Sequence, residues 1–169
     1  MQFVKTLLIF TFGLIALGMP SFAQDPIVDR AVIEACHAEM VREFTEVECV
    51  GDAANACQRI HTSGFDGGTT RGISQCLEAE TKVWDELLNL TYLSTQRSLA
   101  EQEDDARSND PDRTDTLRDA QRAWITFRDA ECLRLFSKWQ DGTIRSNVFH
   151  GCLMTMTAER AIALVERTR

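Results

Sequence analysis

The chain lacks the local patterns on which most enzymatic chemistry is built. No H-E-x-x-H, C-x-x-C or C-x-x-C-H occurs, and His37, His61 and His150 lie in separate segments. Zinc binding, dithiol redox chemistry and haem attachment depend on such spacing, so no metal or cofactor is expected. The glycine-rich stretch from Thr62 to Thr70 has no G-x-x-x-x-G-K-[ST] pattern and follows no strand, which excludes a phosphate cradle. An excess of positive charge is missing too, with 18 Lys and Arg against 26 Asp and Glu. Nucleic-acid binding draws on clustered cations, so a nucleic-acid partner is not expected. No second long apolar run follows the N-terminal one, and no segment alternates with period two for long enough to build a sheet.

What is present begins with an export signal. Met1 to Lys5 carries one positive charge, Leu7 to Leu17 is apolar apart from Thr11 and Gly13, and Ser21-Phe22-Ala23 supplies a small-x-small site. Cleavage after Ala23 is predicted, because the run is shorter than the ~20 residues a membrane span needs. The expected product is a periplasmic or secreted protein without a stable membrane anchor. Loss of Lys5 makes it one unit more negative than the full chain's −8. No cysteine adjoins the cleavage site, which argues against a lipid anchor.

Six cysteines, Cys36, Cys49, Cys57, Cys76, Cys132 and Cys152, all follow the signal. An even number in an exported chain predicts disulfides, each stabilising by about 2–4 kcal/mol. Fifteen pairings exist in principle. Spacing favours the local set Cys36–Cys49, Cys57–Cys76 and Cys132–Cys152 without selecting it.

Apolar residues at three-to-four spacing predict an all-α fold of four helices. Pro26 to Phe44 forms the first, with Val28, Ala31, Val32, Ala35, Cys36 and Met40 as its stripe. A turn and a short helical piece near Cys57 follow, then a loop in which Gly67 and Gly68 permit unusual backbone angles. Gly72 to about Ala106 forms a long helix on Ile73, Cys76, Leu77, Trp84, Leu87, Leu88 and Leu99, with Glu80 intruding on the stripe. Thr114 to about Gln140 forms another, and Ile144 to Glu166 the last. A short polar turn between the long helices predicts an antiparallel helical hairpin as the frame of a compact disulfide-bonded bundle.

Paired carboxylates can hydrolyse glycosides, but none lies in a segment that marks a desolvated general acid, so no catalytic residue is assigned. The densest pattern runs from Gln121 to Cys132. Trp124, Phe127, Arg128 and Glu131 share a helix face, and Arg128 can reach Trp124 or Glu131 one turn away. A clamp between helices explains them most simply, with an exposed patch of Arg122, Arg128 and Asp129 as the alternative. Thr157 and Arg160 are expected to tie the last helix to acidic side chains.

These segments carry a resemblance. Leu87-Leu88-Asn89-Leu90-Thr91-Tyr92, preceded by Trp84-Asp85, is similar to the L-N-x-x-Y core of the LprI-like lysozyme inhibitor family. Gln121-Arg122-Ala123-Trp124-Ile125-Thr126-Phe127-Arg128-Asp129-Ala130-Glu131-Cys132 resembles its strongest motif. Cys152-Leu153 with Thr157 and Arg160 is similar to its closing segment. The resemblance divides the chain into residues 1–23 as signal, 24–56 as a helical extension and 57–169 as the LprI-like domain. It implies that Trp84, Asn89, Tyr92, Gln121, Arg122, Trp124, Phe127, Arg128, Asp129, Glu131, Thr157 and Arg160 are mainly structural.

It also implies an exported binding protein that is not an enzyme and inhibits lysozyme by protein–protein contact. Phe65 and Asp66 are its candidate binding loop. Lysozymes are usually basic, and an acidic surface would speed the encounter. The alternative is an accessory or structural protein that binds another envelope component.

Overall fold

The computed structural model describes residues 28–43, 48–102 and 111–165. The predicted signal, and the helix start at Pro26, lie outside them. Five helices and one two-stranded hairpin occur among the described residues: α1 (Arg30–Glu43), α2 (Asp52–Cys57), β1 (His61–Thr62), β2 (Phe65–Asp66), α3 (Thr70–Glu101), α4 (Arg113–Lys138) and α5 (Arg145–Ala163). The all-α class holds. The expected four helices become five, and the stretch expected as a loop contains a short antiparallel β-hairpin pairing His61 with Asp66 and Thr62 with Phe65. Two-residue strands are too short to leave an alternating pattern in the sequence.

Helix starts follow local chemistry. Asp29 accepts the Ala31 N–H at α1, and Thr69 Oγ1 accepts the Gly72 N–H at α3. At α4 the cap is Asp112, which accepts from Asp115 N. Its carboxyl is held below the usual range by hydrogen bonds from the Thr114 side chain and then the Asp115 backbone. Helix α2 has no such residue of its own. Gly51 stands at its N-cap with φ 100, a left-handed conformation that favours glycine.

The frame differs from expectation. Helix α3 packs chiefly on α5, and α4 also packs on α5 while touching α3 much less. The predicted α3–α4 hairpin is therefore not the organising unit. Its physical cause is the inner face of α4, where partly buried Leu117, Gln121, Trp124, Arg128 and Leu135 accompany Cys132, the helix's one fully buried residue. Helix α5 instead offers Met154, Thr157, Ala158, Ala161 and, just beyond its end, Leu164. Small side chains there let α3 approach closely and pack densely.

Helix α1 is rotated relative to the predicted stripe. Ile33, Cys36 and Met40 face inward, while Val32 is 40% exposed and Ala31 and Ala35 are exposed. One apolar cluster unites these residues with Ala53, Ala54 and Cys57, with Trp84, Leu87 and Leu88 of α3, and with α5. Cys36–Cys49 and Cys57–Cys76 tie it together, and a third disulfide, Cys132–Cys152, joins α4 to α5.

Candidate functional site

The β-hairpin stands at one end of α3, anchored from both sides. The Cys57–Cys76 disulfide joins the α2 end to the first turns of α3, and Gly67 N donates to Ile60 O at 2.9 Å. Asp66 organises the return strand. Its Oδ1 lies 2.7 Å from His61 Nδ1 and accepts the Gly68 N–H at 3.0 Å, while its carbonyl accepts from Thr69 Oγ1. Phe65 is half-buried against the core, whereas Thr62, Ser63 and Gly64 are exposed.

The glycines act here through space. Neither Gly67 nor Gly68 has a positive φ, contrary to expectation. A Cβ on Gly72 would stand 1.9 Å from the Asp66 carbonyl oxygen, and one on Gly67 would stand 2.6 Å from the Cys57 oxygen. The backbone of the hairpin therefore rests directly on the start of α3. A Cβ on Gly64 would meet nothing within 4 Å, so the tip projects freely.

The densest sequence motif lies between α4 and α5. The Trp124 indole has the Arg128 guanidinium at 5.1 Å and that of Arg160 at 5.7 Å from its centroid. Arg160 Nε donates to Gln121 Oε1 at 2.9 Å, and Arg128 Nη1 donates to buried Thr157 Oγ1 at 3.3 Å. Burial pushes the Arg160 pKa below its ordinary value, though a guanidinium stays cationic. The Cys132–Cys152 bridge closes the same seam. Gln121, Trp124, Arg128, Thr157 and Arg160 thus converge as an inter-helix clamp.

Two details depart from the predicted pairing. Glu131 receives both Nε and Nη2 of Arg134, so Arg128 turns to Asp129 at 2.8 Å. Hydrogen bonds from Arg134 hold the Glu131 carboxyl below the usual range. Thr157 and Arg160 meet Arg128 and the Gln121 amide instead of acidic side chains, because a half-buried amide satisfies the guanidinium without desolvating a second charge. Arg122 and Phe127 lie outside the clamp. On α3, Asn89 donates to Asp85 Oδ2 and half-buried Tyr92 packs against the core.

In the sequence Glu80 stands out only as a polar residue on the apolar stripe of α3. It is 1% exposed, and its two oxygens accept Gly51 N at 2.8 Å and Ala54 N at 2.7 Å. Oε1 also accepts Trp84 Nε1 at 3.0 Å. Glu80 is the missing N-cap of α2, supplied from another helix, and it orients Trp84. Glu80 and Trp84 four residues apart are a local signal, but the α2 amides were invisible without the fold.

Two open clefts flank α3. One of about 470 Å³ is lined by His37, Leu87, Leu90, Thr91 and Ser94 among others, and another of about 430 Å³ by Glu78, Lys82, Asp85, Glu86 and Arg128 among others. The carboxylates of the second are exposed and engaged. Glu78 pairs with Lys82, Asp85 accepts from Asn89, and Glu86 accepts from Arg30. No group of three or more potential metal ligands occurs among the described residues. No helix among them is long and apolar enough to cross a membrane.

A disulfide-stapled helical core carries the hairpin at one end of α3 and the polar clamp between α4 and α5. Residues 63–164 match the family model described as lysozyme inhibitor LprI, and the chain belongs to that family. No curated protein and no solved structure gives a significant match. LprI-family proteins are non-catalytic inhibitors that are typically periplasmic or secreted. The role that follows is protein–protein binding.

Proposed function

We propose that this protein is exported, with its signal removed after Ala23, and inhibits a basic lysozyme through the β-hairpin around Phe65 and Asp66. The observation that carries the reading is the hairpin's attachment at one end of α3. A projecting segment held by a disulfide, by the Asp66 hydrogen bonds and by contact with Gly72 loses little conformational freedom on docking. Phe65 supplies the foundation and Asp66 the local negative charge. Thr62, Ser63 and Gly64 form the face that enters the target. The net charge, −8 for the full chain and one unit more negative without Lys5, would speed encounter with a cationic enzyme.

Gly64 provides the test, because a side chain there meets no neighbour. Gly64→Trp should leave the melting temperature of the oxidised protein unchanged and weaken inhibition of a basic c-type lysozyme by about tenfold or more. Unchanged inhibition by Gly64→Trp would remove the hairpin from the interface. No inhibition by the unmodified protein would reject this target and favour another envelope component.

A further inference from the structure

Helix α1 touches α2, α3 and α5 only lightly. Its inward side buries Ile33, Cys36 and Met40, while Ala31, Val32 and Ala35 are exposed. It also lies outside the matched residues 63–164, which hold α3, α4 and α5. An Arg30–Glu86 ion pair ties its first turn to α3, but both side chains are about half exposed, and exposed pairs contribute little. The Cys36–Cys49 disulfide holds α1 to the chain just before α2 and makes no bond to α3 or α5.

His37 sits in this contact. Its ring packs edge-on to Trp84 of α3, with centroids 6.1 Å apart, and its Nε2 is buried without a hydrogen-bond partner. The cleft beside it is lined by Leu87, Leu90, Thr91, Ser94 and Val165 among others, and none of the described residues lining it is charged. Charged groups on the surrounding elements are engaged or exposed. Glu34 of α1 and Glu86 of α3 both pair with Arg30, and Glu80 of α3 accepts from Gly51, Ala54 and Trp84. Arg160 of α5 donates to Gln121, while Glu39, Asp52 and Glu159 are exposed. The Ala161 carbonyl of α5 favours a proton on the ring, but burial opposes it more strongly. An imidazolium is therefore worse accommodated in the docked helix than in water.

We propose that α1 is an acid-released element: protonation of His37 undocks it from α3 and α5, while Cys36–Cys49 keeps it tethered and the α3–α5 core stays closed. The direction follows from where the proton binds better. Burial lowers the pKa of the docked ring from 6.5, and an undocked, hydrated ring recovers that value, so falling pH favours the undocked form. The docked state keeps its full advantage above pH 6.5 and loses it as pH falls toward the lowered value. At about pH 5 the ordinary pKa alone limits the loss in the docked-to-undocked ratio to about thirtyfold. Release exposes Trp84 on the side against which His37 packs.

Amide hydrogen exchange of the oxidised chain at about pH 7 and about pH 5, corrected for the intrinsic exchange rate, tests the release. The amides of α1 should lose protection by about threefold to thirtyfold, while those of α3 around Trp84 and Leu88 keep theirs. His37→Phe fills the same place without titrating and should remove the pH dependence of α1 protection. The unmodified protein gives a second readout, because NMR titration of the His37 ring and the loss of α1 protection should share one midpoint. A ring that titrates while α1 stays protected overturns the proposal. So does loss of protection in α1 and α3 together, which is global unfolding, or an α1 whose protection still falls in His37→Phe.

Discussion

Glu80 shows how one buried carboxylate can connect three elements. It closes the N-terminus of α2, fixes the Trp84 ring and belongs to α3, all at 1% exposure. Glu80→Gln keeps the shape but turns an amide NH2 toward an N–H donor. The expected loss is about 2–3 kcal/mol, read as a lower urea midpoint. His37 is a second sensitive residue. Its ring packs edge-on to Trp84, and its Nε2 is buried without a hydrogen-bond partner. Burial lowers its pKa from 6.5, with the Ala161 carbonyl opposing more weakly. The unfolded chain then binds the proton more readily than the folded one. Stability contributed by the neutral ring is present above pH 6.5 and is lost as pH falls from there toward the lowered folded value. His37→Gln should flatten the decline in urea midpoint between about pH 6.5 and pH 5. An unchanged slope would assign the decline to other groups.

At the scale of elements, α4 is the least secured of the long helices. It buries Cys132 fully and otherwise relies on the Trp124–Arg128–Arg160 clamp and the Cys132–Cys152 disulfide. Replacing both cysteines with serine should cost about 3 kcal/mol by the loop-entropy relation. Hydrogen exchange should accelerate in α4 well before α3, whose core face holds Trp84, Leu87 and Leu88. Uniform acceleration across both helices would show that α4 unfolds only with the whole bundle. The hairpin is different in kind, since its position rests on the absence of a Cβ at Gly72.

For the molecule as a whole, charge acts through kinetics. With this acidic excess, association with a basic lysozyme should slow as salt rises and the field is screened over about 10 Å, while dissociation governed by the hairpin contact changes little. Stopped-flow measurement at low and physiological salt separates the two. A dissociation rate that climbs steeply with salt would mean that charge, and not the fitted hairpin, holds the complex.

The amino-acid order determined the helical class, the approximate spans of α1, α3, α4 and α5, the family and the polar motif between Gln121 and Cys132. These depend on periodicity, capping residues and near-neighbour spacing, which are local. Helix partnership was not local. The short turn region between α3 and α4 suggested that those helices pair, yet the small inward residues of α5 made it the better partner for α3. The phase of α1 shifted to bury Ile33 beside Cys36 and Met40, in the cluster that also holds Trp84, while Val32 stays exposed. Glu80 looked misplaced until the amides of Gly51 and Ala54 lay against it. Only the tertiary structure decides such cases, since the free energy of a buried polar group, or of an exposed Phe127, depends on what the rest of the chain brings to it.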